Sequence, residues 1–404
     1  MTFDGIVGRC SFIVSFLRIP MPYNHTGGEA VHRTRENTTV LLIFLLAVLV
    51  LLSCMPYTRR VMKHNLVRIA IVCGVDNVTI SGTQRGKLYN NYCIGMNHTF
   101  PLFFGPHSAT VTVNGVQYRG AIEMKKIGGR IWVINVVDVE DYLKGVVPCE
   151  IGGLSEDLIE AAKAQAVAAR TYAYAHVNQY DHLGFDLYAT IQDQVYKGTS
   201  AEREVTNRAI RETTGEVLTY RNQPIEAKYH STCGGRTADY NDAWPGEPPP
   251  YLRSIQCTYC EKSPHYTWSS ELSRTQFYQN LRNRLKVIGH AIPASERIRR
   301  IRLKTNKRSK RVREMIVETD EHQYTIPGYQ IRKALAYIGN PTGSLKSNYI
   351  TITSRGSMIT IEGRGFGHGV GMCQFGAIEQ ARQGRSYRDI LRYYYRGARL
   401  RRMR

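Results

Sequence analysis

Between residues 66 and 137 apolar and polar side chains alternate with a period close to two. The runs are LVRIAIVCG (66–74), NVTISG (77–82), ATVTVNG (109–115), VQYRGAIEMKKI (116–127) and RIWVINVV (130–137). Turn pairs such as Asn114-Gly115 and Gly128-Gly129 separate them, so the pattern predicts a succession of strands. The next apolar stretch, VVPCEIGG (146–153), reads as the end of a β-branched strand at Pro148. Glu150 then lies on a tight strand-to-helix connection, where Gly152 and Gly153 permit positive φ. At Ser155 the pattern changes to small residues at helical spacing, SEDLIEAAKAQAVAARTYAYAH (155–176), predicting a long helix to about Asn178. Ser155 suits an N-cap, with Glu156 and Asp157 at the positive helix end. Lys163, Val167, Arg170 and Tyr174 share one stripe of this helix.

Further along, helices are predicted at about 201–212, 270–283, 328–338, 374–384 and 387–396, and strands at 216–229 and in YITITS and MITIEG. PGEPPPY (245–251) is a rigid connection, residues 296–325 are basic and strand-forming, and residues 363–371 form a glycine-rich loop. This order predicts an α+β fold: a mixed β-sheet, a long central helix, and a second basic β-rich lobe. We place one domain over 57–404, with lobes at about 66–268 and 269–404.

Residues 40–52, VLLIFLLAVLVLL, are uninterrupted apolar residues preceded by Arg33 and Arg35. Thirteen residues fall short of the roughly 20 of a spanning helix but match the apolar region of an export signal. Leu51-Leu52-Ser53-Cys54 reads as a lipoprotein cleavage box with Cys54 as the lipidated residue, and an uncleaved signal anchor is the equal alternative. Either way residues 1–56 export the chain and tether it to a membrane, leaving the remainder on the extracytoplasmic face of a bacterial cell envelope. Residues 1–30 lie far upstream for such a signal, as expected if translation starts nearer Met21 or Val31.

Charge adds a partner class. The net charge is +21, from 54 basic and 33 acidic residues, and is densest at 297–313 and at the C-terminus. Such an excess favours a polyanion: an acidic wall polymer, anionic lipid or nucleic acid. No RNA- or DNA-binding signature accompanies the basic runs, which ranks nucleic acid last.

Three constellations carry chemistry. Glu150, flanked by Pro148, Cys149 and Ile151, is a carboxyl in apolar company, the setting that raises a pKa and suits a general acid. GRGFGHGVGMCQFGA (363–377) is a glycine-rich loop around His368, without the GK[ST] ending of a phosphate loop. His230-x-x-Cys233 precedes Cys257-x-x-Cys260 by a gap of 23 residues. One imidazole and three thiols in two close pairs match a closed, structural zinc site, with a Cys257–Cys260 disulfide as the rival in an exported protein. Of the other cysteines, Cys73 and Cys93 lie in one strand region and could pair, as could Cys149 and Cys373 across a cleft; buried free thiols are the alternative.

Four ordered blocks resemble the stage II sporulation protein D (SpoIID/LytB-like) family. They are INVVDVEDYLKGVVPCEIGG, EAAKAQAVAARTYAYAH, KYHSTCGGRTADYNDAW with PYLRSIQC, and GRGFGHGVGMCQFGAIEQARQG. The resemblance runs from about Leu66 to about Gly397 and is weakest in the basic segment after Ser270. It implies a lytic transglycosylase that cleaves peptidoglycan glycan strands, preferring strands stripped of their stem peptides. It places the family's catalytic glutamate on Glu150. It also implies that His368 and Gln374 donate hydrogen bonds to the glycan and that Ser231 or Thr232, in the family's HST segment, binds it; Lys163, Arg170 and Tyr172 of the long helix are further candidate contacts. Arg170 and Lys163 read equally as salt-bridged scaffold, and His230 as a substrate group. Zinc occurs in some family members. The alternative role is a non-catalytic glycan-binding scaffold that partners a cell-wall amidase.

Overall fold

The computed structural model describes residues 65–338 and 343–403. The apolar segment 40–52 and Cys54 lie outside the described residues; no helix among those described is long and apolar enough to cross a membrane. The fold is α+β, with seven α-helices among the described residues.

The early alternating runs form two antiparallel sheets. One orders Leu102–Phe104, Ala121–Ile127, Arg130–Asp138, Leu66–Val75 and, parallel at its edge, Leu187–Tyr188; the other orders Lys87–Gly95, Asn77–Gln84, Val111–Val113 and Val116–Tyr118. Val67, Ile69, Ile122, Met124, Ile131 and Val133 fill the first sheet's buried face, as the period of two requires.

Immediately after this sheet the structure departs from the expectation. Helix α1, Val139–Ile151, occupies the stretch read as a strand and a loop. Asp138 caps it, its carboxylate accepting the Glu140 N–H at 2.8 Å, and Glu140 and Asp141 occupy the first turn. Val139, Leu143, Val146 and Val147 recur at helical spacing on a buried face, so burial overrides the strand preference of the valines. Pro148 falls in the last turn, and the chain stops at Gly152 (φ 83°), whose N–H bonds to the Pro148 carbonyl. Glu150 therefore sits in the last helical turn, not on a loop.

Helix α2, Ile159–Ala175, follows a short 3₁₀ turn at Glu156–Leu158. Its alanines are fully buried on every side because α1, α3 (Glu204–Glu212) and the C-terminal helices enclose it. The basic lobe packs helix α4 (Arg274–Val287) and α5 (Gly328–Ala334) on two three-stranded antiparallel sheets around Phe277, Leu281, Leu285, Met315, Val317, Ile331 and Ile361. Part of its positive charge is paired across the hairpin, Lys304 with Glu314 at 2.9 Å and Arg302 with Glu318.

The chain then returns to the first lobe. Met372–Cys373 pairs in parallel with Tyr229–His230. Helices α6 (Gln374–Arg382) and α7 (Tyr387–Tyr394) pack on α2, and Arg399–Arg402 pairs with Glu216–Tyr220.

The glycines of the 363–371 loop serve this return. Gly369 has φ +82°, and a Cβ there would meet the Arg311 guanidinium at 2.3 Å; Gly371 has φ +74°, and a Cβ there would lie 1.9 Å from the Lys228 carbonyl oxygen. The loop is laid tightly against its own protein, which explains the glycines better than ligand approach does. Gly371→Ala is expected to lose about 3 kcal/mol in urea unfolding, from backbone strain plus the clash. Gly153→Ala, with nothing within 4 Å of its Cβ, is expected to stay within about 0.5 kcal/mol of wild type.

Candidate active site around Glu150

The Glu150 side chain turns from the end of α1 toward segment 193–196. Its Oε1 accepts the Val195 N–H at 2.9 Å. Burial pushes its pKa up to about 7, against the opposing pull of the Val195 N–H and the Gln374 amide. No neighbouring anion is needed to explain the shift; burial dominates it.

Several buried polar groups surround this carboxyl. The Tyr142 hydroxyl donates to Gln194 Oε1 at 3.1 Å, and Gln194 Nε2 donates to the Tyr229 hydroxyl at 2.9 Å and to the Ala169 carbonyl at 3.3 Å. Gln374, the first residue of α6, donates from Nε2 to Gln165 Oε1 of α2 at 3.4 Å. Burial, with Glu150 close by, drives the Tyr142 and Tyr229 hydroxyls well above their ordinary pKa, so they remain neutral.

From Val195 the contacts continue along one wall. Asp193 accepts from the Tyr172 hydroxyl (3.0 Å), Gln179 Nε2 (3.3 Å) and the Tyr188 N–H (2.9 Å). The Lys228 ammonium lies over the Tyr172 ring at 4.7 Å and over the Trp244 ring at 4.9 Å, and Trp244 packs on His368 at 4.8 Å. His368 Nδ1 accepts the Val370 N–H at 3.1 Å, so its proton sits on Nε2. Burial holds its pKa well below the ordinary histidine value. Ser231 is tied to the start of α6, its carbonyl accepting the Phe375 N–H at 3.1 Å. The structure thus groups Glu150, Gln374, Ser231, Tyr172 and His368 into one set, in which the contacts of Glu150 and those of Tyr172 and His368 are joined by the chain itself at 193–195 and 228–231.

Arg170 and Lys163 lie outside that set. Arg170 is fully buried and bidentate to Glu140, with Nε–Oε1 at 2.8 Å and Nη2–Oε2 at 2.6 Å, and donates to the Glu216 carbonyl at 3.1 Å. Lys163 bridges Glu160 at 2.8 Å and Glu212 at 2.7 Å. Both hold α2 to its neighbours, which is the scaffold reading of that helix stripe.

The thiols also group differently from the spacing. Cys233, Cys257, Cys260 and Cys373 are buried with their sulfurs within 4.8 Å of one another. His230 is not with them: its Nδ1–H donates to the Val370 carbonyl at 3.1 Å and its buried Nε2 has no partner among the described residues. Burial lowers its pKa to about 3. Cys149 does not face Cys373; its thiol donates to the Gly145 carbonyl within α1 at 3.3 Å. Cys73 and Cys93 are exposed free thiols.

Sequence reasoning missed Val195, Gln194, Gln165, Asp193, Lys228 and Trp244. Lys228 and Trp244 bound the KYHSTCGGRTADYNDAW block, the one signal that pointed to them. A separate cleft of about 590 Å³ in the basic lobe, lined in part by Trp268, Lys310, Tyr349 and Arg364, shares no residue with this set.

Residues 128–220 match the family described as Stage II sporulation protein (SpoIID), and residues 258–371 match a domain of unknown function (DUF8618). The chain is 32% identical over 288 residues to an uncharacterized protein of Brachyspira hyodysenteriae, covering 71% of this chain and 73% of that one. It is 32% identical to the stage II sporulation protein D of Bacillus subtilis, over 65% of this chain and 74% of the relative. It is also 32% identical to the amidase enhancer of Bacillus subtilis, over 64% of this chain but 40% of that longer protein. With these matches spanning the Glu150 helix and most of the Bacillus subtilis sporulation protein, the chain belongs to the stage II sporulation protein D family.

Proposed function

We propose that this protein is a lytic transglycosylase that cleaves peptide-stripped peptidoglycan glycan strands and leaves 1,6-anhydro-muramic ends. One observation carries the reading: a single half-buried carboxyl, Glu150, whose pKa is lifted to about 7 by its surroundings rather than by a partner charge. A carboxylic acid poised near neutrality can protonate the glycosidic oxygen as the bond breaks, then as carboxylate accept the proton of the attacking hydroxyl. In a lytic transglycosylase that nucleophile is the C6 hydroxyl of the same muramic residue, so no water enters and no second carboxylate is needed. A hydrolase needs one, and Asp193, the next carboxylate along the wall, already accepts three hydrogen bonds. In this reading Gln374 holds the Glu150 carboxyl from one side and Val195 from the other. His368 offers its Nε2–H, and Tyr172, Lys228, Trp244 and Ser231 form the wall against which sugars lie. The chain works in the bacterial cell envelope, tethered through residues 40–52.

Cleavage depends on protonated Glu150, so kcat/KM on peptide-stripped peptidoglycan is expected to level off below pH 7 and fall about tenfold per unit above it. Release of soluble glycan fragments measured from pH 5 to 9 checks this. A profile flat to pH 9 contradicts the role of Glu150 as acid.

A second reading has one observation in its favour, the similarity to a protein named amidase enhancer. There the chain is a glycan-binding partner of a cell-wall amidase and releases no fragments itself.

A further inference from the structure

We propose that Cys233, Cys257, Cys260 and Cys373 bind one zinc ion as a closed tetrathiolate site, with Cys373 in the place that the sequence spacing offered to His230. All four sulfurs lie within 4.8 Å of one another, and Cys233 and Cys260 approach to 3.3 Å. A tetrahedron with Zn–S bonds of about 2.3 Å has edges of about 3.8 Å, so the ion needs only small side-chain shifts. The ligands come from three segments already fastened together. Cys257 N–H bonds to the Gly235 carbonyl at 3.0 Å, and Tyr229–His230 pairs with Met372–Cys373.

Two further features fit an anionic cluster. Backbone N–H groups of Cys233 and Gly376 point at Cys373 Sγ at 3.3 and 3.4 Å, and the Tyr394 hydroxyl lies 3.2 Å from Cys257 Sγ. Donors converging on sulfur stabilise thiolate over thiol. In addition, Arg311 is fully buried, and the one carboxylate that acts on it, Asp242, forms no ion pair with it among the described residues. Its Nη2 donates to the Cys233 carbonyl at 3.0 Å and its Nη1 to Asn348 Oδ1 at 3.1 Å, while its Nε has no partner among the described residues. A buried guanidinium with no counter-charge in contact is costly. Four thiolates on a divalent ion leave a net charge of −2, which supplies one. Binding converts four S–H groups to four Zn–S bonds and releases four protons to solvent; no oxidant is involved. The site is structural, since four protein ligands leave no open position. Because Cys373 also caps α6, the ion would fix Gln374 beside Glu150.

The test uses the full chain, purified under reducing conditions and incubated with zinc, then analysed by elemental mass spectrometry and zinc X-ray absorption. About one zinc per chain with four sulfur neighbours at about 2.3 Å, unchanged in His230→Ala, is the expected result. Cys373→Ser is expected to lose one sulfur neighbour or the zinc. Should that variant unfold, the wild type decides: its four thiols should resist alkylation until zinc is removed by a chelator. A nitrogen neighbour that disappears in His230→Ala, zinc-free protein with four freely alkylated thiols, iron in place of zinc, or a disulfide among the four in protein isolated without reductant each overturns the proposal.

Discussion

Glu150→Gln is expected to lower glycan cleavage by a factor of about 10³–10⁴ while leaving glycan binding intact. Glutamine keeps the side chain's shape and its acceptor oxygen for the Val195 N–H, but it can neither give nor take the proton. The same variant also has a stability signature, which reports the raised pKa of the carboxyl whatever its role. Folding raises the Glu150 pKa from 4.5 to about 7. The folded state therefore holds the proton more tightly than the unfolded state, and that contribution is complete below pH 4.5. It is lost as pH rises through 7, where the buried carboxyl must ionise. Glu150→Gln removes this cost and should be more stable than wild type at pH 9, by about 2 kcal/mol after discounting for partial exposure, and nearly equal to it at pH 4. Urea unfolding at the two pH values reads the difference. Equal stability at both would mean that the carboxyl is not perturbed.

Arg170→Ala is expected to cost about 3–5 kcal/mol of folding stability, read as a lower urea midpoint. The guanidinium is the bidentate partner of Glu140, which also accepts the Gly215 N–H at 3.1 Å, and it bonds to the Glu216 carbonyl. Removing it strands a largely buried carboxylate and breaks the tie between α1, α2 and the strand Glu216–Tyr220. The double variant Glu140→Leu/Arg170→Met should recover much of the loss, because neither charge is then left alone. Were Arg170 a glycan contact instead, Arg170→Ala would raise KM with the urea midpoint unchanged.

The strands and most helices could be read from periodicity because burial follows it closely: alternating residues such as Val67 and Ile69 face one core. The α1 helix could not, because Val146-Val147-Pro148 carries strand-like and helix-breaking signals. The deciding facts, the Asp138 cap and packing against α2, are partly tertiary. Arg170 was ambiguous for a related reason. A basic residue on a helix stripe reads the same whether it faces solvent or a buried glutamate. The thiol cluster shows the limit of spacing arguments. Cys257-x-x-Cys260 announces a pair, but the fourth sulfur comes from Cys373 through the parallel pairing of Tyr229–His230 with Met372–Cys373. That pairing leaves no mark in local sequence. Glu150 itself stood out only through its apolar neighbours and the blocks around it. The Val195 N–H and Gln374 that hold it are brought by distant segments.

The most direct test of the catalytic reading is mass spectrometry of the glycan ends produced when the protein is incubated with peptide-stripped peptidoglycan, beside Glu150→Gln. Transglycosylation through Glu150 predicts 1,6-anhydro-muramic ends from the wild type and none from the variant. Reducing ends would contradict it and require a second carboxylate acting with water. Intact strands that the protein still binds would contradict catalysis altogether and leave the amidase-partner reading.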